Sequence, residues 1–198
     1  GSGRIMGTPR YMPPEQRQRF LTNAAVDLDR MVEMVSGLLL LARIEAGHSR
    51  APVPLDELAA EVLARFPAVA LTGEGGTVDG DAAQLEIALS NLVENALTHG
   101  AEPVTVALWC RDDAVGLTVT DAGPGIPEEL QAQVFERFFT TDRAGDGTGL
   151  GLAIVAAIVE AHGGSVRLES GGGGCAVVVL FPVAVSYTHL TLPTKCWV

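Results

Sequence analysis

The stretch GTGLGLAIVAAIVEAHGG, residues 147–164, places three glycines at alternate positions directly before an apolar helical pattern. Exposed backbone amides and the positive end of a helix dipole together predict a site for phosphate groups. The third glycine has the wrong spacing for the dinucleotide fingerprint. A Walker A loop is excluded because the only lysine of the chain is Lys195. The stretch therefore predicts a phosphate site of another class.

A second motif, NLVENA at residues 91–96, lies on a predicted helix upstream. Asn91 and Asn95 are four residues apart and so share one helix face, with Glu94 and His99 on adjacent turns. Carboxamide oxygens suit a hard cation such as Mg²⁺. Taken alone, the pair is better explained as two polar residues on a solvated face.

Two further motifs lie between these segments. DAGPGI, residues 121–126, follows a predicted strand. Its carboxylate can accept a hydrogen bond from an exocyclic amine such as that of adenine, and its glycines let the backbone approach a flat ring. An ordinary Asp-Gly turn is the alternative.

VFERFF, residues 134–139, holds three of the six phenylalanines beside Arg137 and Arg143. It indicates an anchored segment with phosphate-reaching arginines, or simple hydrophobic packing.

The remaining patterns predict an α+β fold, a two-layer sandwich of a mixed, mostly antiparallel sheet with helices on one face, preceded by a long N-terminal helix. Residues 71–81 are turn-rich and predict one short strand. The predicted helices of the sandwich are 54–66, 82–100 and the helix that follows the glycine stretch. Residues 104–112 and 114–123 are predicted to form a hairpin of two strands. Two further strands, 165–170 and 175–183, are predicted to be joined by a glycine turn.

The N-terminal helix is predicted over residues 14–47, with Gly47 as its stop. Its apolar residues recur at alternating spacings of three and four, which is a heptad seam on one face. Such a stripe needs partner helices, from elsewhere in the protein or from a second chain. The seam residues are Leu21, Ala24, Leu28, Met31, Val35, Leu38 and Ala42.

In order and spacing, the four motifs resemble the N, G1, F and G2 boxes of histidine kinase catalytic domains, over residues 52–183. The helix ending LLLLARIEAG resembles the second helix of the family's dimerisation domain. The resemblance implies a remnant of the dimerisation hairpin at 1–13, that second helix at 14–47 and an ATP-binding catalytic domain at 52–183.

The resemblance also implies ATP and Mg²⁺ as cofactors, with an adenine contact from Asp121, metal ligands at Asn95 and Asn91, and an ATP lid over residues 127–148. Thr98 departs from the family, which often has Lys or Arg there. The implied ATP-binding residues are Asn91, Asn95, His99, Asp121, Gly123, Gly125, Ile126, Arg137, Phe139, Gly147, Thr148, Gly149, Leu150, Gly151 and Leu152.

Position 91 indicates the type of reaction. Hydrolytic and serine-phosphorylating relatives typically have a glutamate base there, and an amide cannot take up a proton at neutral pH. An imidazole acceptor is itself a nucleophile and does not need that base. We therefore predict transfer of the ATP γ-phosphate to a histidine, for relay to a response-regulator aspartate. The alternatives are a degenerate nucleotide-binding module that acts through partners and a structural bundle protein.

The acceptor histidine is expected on a preceding helix that this chain lacks, so autophosphorylation of the chain is not expected. None of His48, His99, His162 and His189 has the setting of an acceptor, and His48 and His162 are predicted to lie on the surface. The implied partners are a second copy, through the dimerisation helices, and a receiver domain.

Composition narrows the remaining classes. A net charge of −11 disfavours nucleic acid and anionic membrane as partners. Three cysteines without paired spacing predict reduced thiols in a cytosolic protein. The resemblance to histidine kinases implies that the chain is the cytosolic part of an inner-membrane sensor. Residues 185–198 differ in composition, resemble a translated sequencing adapter and are expected to be a non-native or disordered tail.

GTPRYMPPEQ, residues 7–16, resembles a protein-kinase activation segment by chance, since no catalytic loop of that family follows.

Overall fold

The computed structural model describes residues 14–45, 50–111, 114–140, 147–171 and 173–183. Predictions for residues 1–13, Gly47, His48, Arg143 and the tail after 183 lie outside this part of the chain. The helices are α1 (Pro14–Glu45), α2 (Leu55–Leu63), α3 (Ala82–His99), α4 (Glu128–Gln131) and α5 (Gly151–Ala161), and the strands are β1 (Ala51–Pro54), β2 (Ala70–Gly73), β3 (Thr77–Gly80), β4 (Thr105–Cys110), β5 (Ala114–Asp121), β6 (Ser165–Gly171) and β7 (Gly174–Pro182).

The main sheet has the strand order β2-β4-β5-β7-β6. β2 runs parallel to β4, and the other neighbours are antiparallel. The predicted β4–β5 hairpin and the predicted pair β6–β7 are both present. The α+β class with a mostly antiparallel sheet is therefore confirmed.

A second, two-stranded sheet was not predicted. β1 pairs antiparallel with β3, and Val53 lies opposite Val78 with both side chains buried. The turn-rich segment 71–81 thus contains the end of β2 and all of β3, where one short strand was predicted. Strands of four residues next to proline and glycine give too short an alternation to be recognised.

Helices α2, α3 and α5 cover one face of the main sheet with an aliphatic core. Alternate residues of β5, namely Val115, Leu117 and Val119, are buried on that face. The first turn of α3 is capped by Asp81, whose Oδ1 accepts hydrogen bonds from the backbone N–H groups of residues 83 and 84 at 3.0 and 3.2 Å. The cap fixes where the helix with both asparagines begins.

Helix α1 packs against α5 through its C-terminal part. Gly37 faces Leu150 and Ile154, and Leu41 and Ile44 are buried. The rest of its apolar stripe has no cover within the described chain. The exposed large apolar residues of α1 are Phe20, Leu21, Val26, Leu28, Met31, Val32, Val35, Leu38 and Leu39.

None of the described helices is long and apolar enough to cross a membrane.

The surface position predicted for His162 is wrong, since its side chain is 2% exposed. The Asp81 backbone N–H donates to Nε2 over 2.9 Å. Because Nε2 accepts, the ring proton is on Nδ1, which donates to the Ile158 carbonyl oxygen over 2.7 Å. The surface prediction followed from the place of His162 beside a helix C-terminus. The side chain is buried because the last turn of α5 lies against the β3–α3 junction.

Candidate functional site

A cavity of about 830 Å³ lies between α3, the start of α5, the loop after β5, strand β7 and helix α1. Thirteen of the fifteen residues predicted to bind ATP line it, all except Gly123 and Arg137. The thirteen are Asn91, Asn95, His99, Asp121, Gly125, Ile126, Phe139, Gly147, Thr148, Gly149, Leu150, Gly151 and Leu152.

Asp121 ends strand β5 with its carboxylate at the cavity wall and only 8% exposed. The Gly123 N–H donates to its Oδ1 over 2.8 Å. A Cβ added at Gly100 would overlap the Asp121 carboxyl carbon. The carboxylate is therefore held between two glycine backbones. Gly123 does not line the cavity, but it positions the residue that does.

The loop after Asp121 is fastened to the end of β6. Gly125 has φ of 75°, which favours glycine. The Ile126 N–H donates to Ser170 Oγ over 2.6 Å, and Gln131 Nε2 donates to the Ile126 carbonyl oxygen over 2.9 Å. Sequence reasoning missed Ser170 and Gln131, because neither belongs to a motif. They fix the cavity wall formed by residues 124–126.

The two asparagines of α3 lie against the first residue of α5. Asn91 Nδ2 donates to the Ile87 carbonyl oxygen over 2.8 Å, and its Oδ1 is 3.0 Å from the ideal Cβ position of Gly151. Asn95 Nδ2 is buried and has no hydrogen-bond partner within the described chain. A buried unpaired amide is costly, so this arrangement favours a bound polar ligand.

The start of α5 is open to an anion. Its N-cap, Leu150, supplies no side-chain hydrogen bond to the first turn, and first-turn amides without such a cap are suited to an anion. Gly149 has φ of 66°, and the Phe138 N–H donates to its carbonyl oxygen over 2.8 Å. The glycine turn therefore joins the phenylalanine segment to the helix entry.

The phenylalanine segment is divided in its packing. Val134 is buried and Phe139 lines the cavity, whereas Phe138 is 53% exposed. Arg137 is exposed and lies off the cavity wall. Phe139 and Val134 therefore lie at the cavity while Phe138 does not pack, and whether the segment anchors an ATP lid stays a prediction.

The charge of the cavity wall is unusual for a phosphate site. His99 lines the cavity from an exposed position beside Thr98, and the lining carboxylates are Glu33, Glu94 and Asp121. No lysine or arginine is among the described lining residues. The described chain contains no group of three or more histidine, cysteine, aspartate or glutamate side chains that could hold a metal ion.

Cys175 was missed as a cavity residue. It lies directly opposite Asp121 in the β5–β7 ladder and lines the cavity. The pKa of the Cys175 thiol is raised from 9.0 to about 11, mainly by burial and secondly by the Asp121 charge, against a hydrogen bond with Ser170 that lowers it. Alternation in β7 predicts an inward face but not which strand is its neighbour. Cys175 and Cys110 are free thiols in the described chain.

Helix α1 also contributes to the wall, which sequence reasoning did not predict. Four of its residues line the cavity, and they are Glu33, Ser36, Gly37 and Leu40.

Comparison with known proteins connects these features to a family. The family of histidine kinase-, DNA gyrase B- and HSP90-like ATPases matches residues 80–185, more than half of the chain. TcrY of Mycobacterium tuberculosis, whose name describes it as a probable sensor histidine kinase, is 37% identical over 186 residues, covering 86% of this chain.

Two solved structures are similar in both fold and sequence. The mycobacterial sensor histidine kinase MprB superposes with a TM-score of 0.59 at 32% identity, over 67% of this chain and 97% of that one. Full-length ShkA superposes with a TM-score of 0.68 at 28% identity, over 87% of this chain and 40% of that one.

The chain spans 39% of the length of TcrY. The family match covers α3, the loop after β5, the start of α5 and strand β7, which line the cavity, but not helix α1. The chain therefore belongs to the histidine kinase-, DNA gyrase B- and HSP90-like ATPases, as a catalytic domain of the sensor histidine kinase type.

Proposed function

We propose that this chain is the ATP-binding catalytic part of a histidine protein kinase, which transfers the γ-phosphate of ATP to a histidine outside the chain for relay to a response-regulator aspartate. One observation carries the proposal. A single cavity is lined by the Asp121 carboxylate, the asparagine pair and the glycine entry of α5, while position 91 has an amide where a base would otherwise lie.

The adenine base belongs at the Asp121 end of the cavity. A carboxylate held rigidly between Gly100 and Gly123 can accept a hydrogen bond from an exocyclic amine without reorganising. The cavity volume of about 830 Å³ is in the range of ordinary ligand sites. ShkA, which shares the fold, was crystallised in complex with AMPPNP, an analogue of ATP.

The phosphates belong at the start of α5, where the N-cap residue gives the first-turn amides no side-chain hydrogen bond. The amide oxygens of Asn95 and Asn91 fit Mg²⁺, which usually takes one or two protein oxygens and completes its shell with phosphates and water. The unpaired buried Nδ2 of Asn95 is a donor, and it supports an acceptor such as a phosphate oxygen beside the metal. When bound, Mg²⁺ supplies positive charge to the phosphate oxygens.

Phosphoryl transfer fits this cavity better than hydrolysis. Asn91 cannot accept a proton, and its amide is already held by the Ile87 carbonyl of its own helix. A neutral imidazole attacks phosphorus without a base at that position. The proposal makes a receiver domain and a second copy, through α1, the partners of the protein, and assigns this chain to the cytosolic part of a sensor.

The second candidate is a degenerate module that binds nucleotide and acts only through its partners. The absence of lysine and arginine from the described cavity wall favours it, because a triphosphate then meets little positive charge there.

One experiment separates the two. The chain is mixed with a histidine-bearing dimerisation domain and ATP labelled at the γ-phosphate, in Mg²⁺ buffer, and the label on protein is counted after acid and after base treatment. We expect acid-labile, base-stable phosphate with the wild type and at least tenfold less with Asp121→Asn or Asn95→Ala. Nucleotide binding without transfer would favour the second candidate, and no binding would refute both.

A further inference from the structure

Helix α1 reaches the glycine entry of the cavity through Arg30. Its Nη2 donates to the Gly147 carbonyl oxygen over 3.1 Å, across 117 residues of sequence. The side chain is partly buried, and its Nε is fully buried with no hydrogen-bond partner in the described chain. A buried guanidinium N–H without an acceptor is costly and therefore indicates a missing partner.

The missing partner is not a carboxylate of the described chain. Neither of the ion pairs resolved between described residues, Arg65 with Glu86 and Arg167 with Glu169, involves Arg30. The Arg30 guanidinium is partly buried and is not matched by a carboxylate among the described residues, so it has the character of a cation that can take an anion. Its polar contact within the described chain is with a loop that belongs to the phosphate end of the proposed site.

The described part of the cavity wall lacks such a cation. Its described lining residues include three carboxylates and no lysine or arginine. ATP bound there would bring its triphosphate against a wall whose formal charge is negative. Arginine is the side chain best suited to meet it, because its planar fork presents several donors to phosphate oxygens at once.

We propose that Arg30 of α1 supplies the positive charge that binds the terminal phosphate of ATP, with Gly147 as the backbone contact that positions its guanidinium. This inference rests on the proposed function of the cavity. It makes the nucleotide site a joint structure of the catalytic domain and the N-terminal helix. The packing of Gly37 on Leu150 and the burial of Leu41 hold α1 in the position that the contact requires.

The consequence is that ATP and α1 stabilise each other. Binding of the terminal phosphate would tighten the helix on α5, and release of the helix would weaken ATP binding by the same factor. ADP, which lacks that phosphate, would couple less strongly to the helix, and adenosine would not couple to it.

The test compares Arg30→Gln, Arg30→Lys and the matched control Arg43→Gln in the full chain. Arg43 is an exposed arginine on the same helix, so its substitution makes the same change in charge. Isothermal titration with ATP and Mg²⁺, with ADP and Mg²⁺, and with adenosine gives the three affinities. For Arg30→Gln we expect about tenfold weaker ATP binding, a smaller loss for ADP and no loss for adenosine. Arg30→Lys should recover part of the loss, and Arg43→Gln should match the wild type.

Two outcomes would overturn this inference while leaving the proposed function intact. In one, Arg30→Gln binds ATP as tightly as the wild type. In the other, it loses the same factor for adenosine as for ATP, which would mean that Arg30 only supports the loop. Failure of the wild type to bind any of the three ligands would instead refute the proposed function itself. Unchanged adenosine binding also verifies that each variant is folded.

Discussion

The backbone N–H of Asp81 donates a 2.9 Å hydrogen bond to Nε2 of His162, and this bond joins the beginning of α3 to the end of α5. The same imidazole bonds back to the Ile158 carbonyl within α5. α3 carries the asparagine pair, and α5 begins at the glycine entry of the cavity. His162 therefore fixes the relative position of the two helices that face each other across the phosphate end.

Replacing His162 with alanine should lower the free energy of unfolding by about 2–4 kcal/mol, because two buried hydrogen bonds are lost and a void remains. Thermal and urea unfolding of the chain measure this change. His99→Ala is the matched control, since that histidine is exposed, and it should change stability by about 0.5 kcal/mol or less. Equal losses in the two variants would contradict the role assigned to His162.

Gly100→Ala should weaken ATP binding by at least about tenfold, because a Cβ there overlaps the Asp121 carboxyl carbon and must displace the group assigned to adenine. Titration with ATP and with adenosine measures the effect, and both ligands should lose affinity equally. Gly173→Ala is the control, since a Cβ at that glycine meets nothing within 4 Å. An unchanged adenosine affinity in Gly100→Ala would show that Asp121 does not contact the base.

Cys175 should alkylate slowly at neutral pH, because the thiolate is the nucleophile and burial raises the pKa of this thiol to about 11. In a Cys110→Ser, Cys196→Ser background, the rate with iodoacetamide, followed by mass spectrometry, should rise about tenfold per pH unit up to about pH 10. ATP should slow the reaction further by covering the cavity wall. A rate that levels off below pH 9 would contradict the raised pKa.

The same shift predicts an alkaline loss of stability. The thiol ionises near 9.0 in the unfolded chain and near 11 in the folded one, so the unfolded state releases its proton first as pH rises. The free energy of unfolding should therefore fall between about pH 9 and pH 11. Urea unfolding across this range should show a smaller fall in Cys175→Ser, and identical curves would contradict the prediction.

Gly37→Leu should separate α1 from α5, because even a Cβ at Gly37 would lie 3.0 Å from the Leu150 Cδ1 atom. Hydrogen exchange should speed up in the C-terminal part of α1, where Leu41 and Ile44 are now buried. Val35→Leu, at an exposed position of the same helix, should leave exchange unchanged. Protection of α1 that survives Gly37→Leu would show that this contact does not hold the helix.

Local patterns account for the parts of the fold that the sequence predicts well. The alternation of β4 and β5 and the glycines that begin α5 are properties of neighbouring residues, and the structure has these elements close to the predicted bounds. Asn91, Asn95 and Asp121 were found in the same way, because each belongs to a short motif. Whether these residues bind ATP and Mg²⁺ stays a prediction.

The missed features depend on partners that are distant in sequence. Cys175 reaches the cavity because β7 lies beside β5, and His162 is buried because the end of α5 meets the β3–α3 junction. Arg30 contacts Gly147 across 117 residues. No local pattern contains such pairings, and β1 was missed because its four residues show no clear alternation.

The hydrogen bond between Asn91 and the Ile87 carbonyl has an evolutionary consequence. The side chain at the position where hydrolytic and serine-phosphorylating relatives are expected to have a glutamate is held by its own helix and stays half-buried at the cavity wall. The hydrophobic core does not depend on it. A change from an amide to a carboxylate at this position would therefore leave the core of the domain intact, so the same scaffold can be adapted to acceptors that need a base and to acceptors that do not.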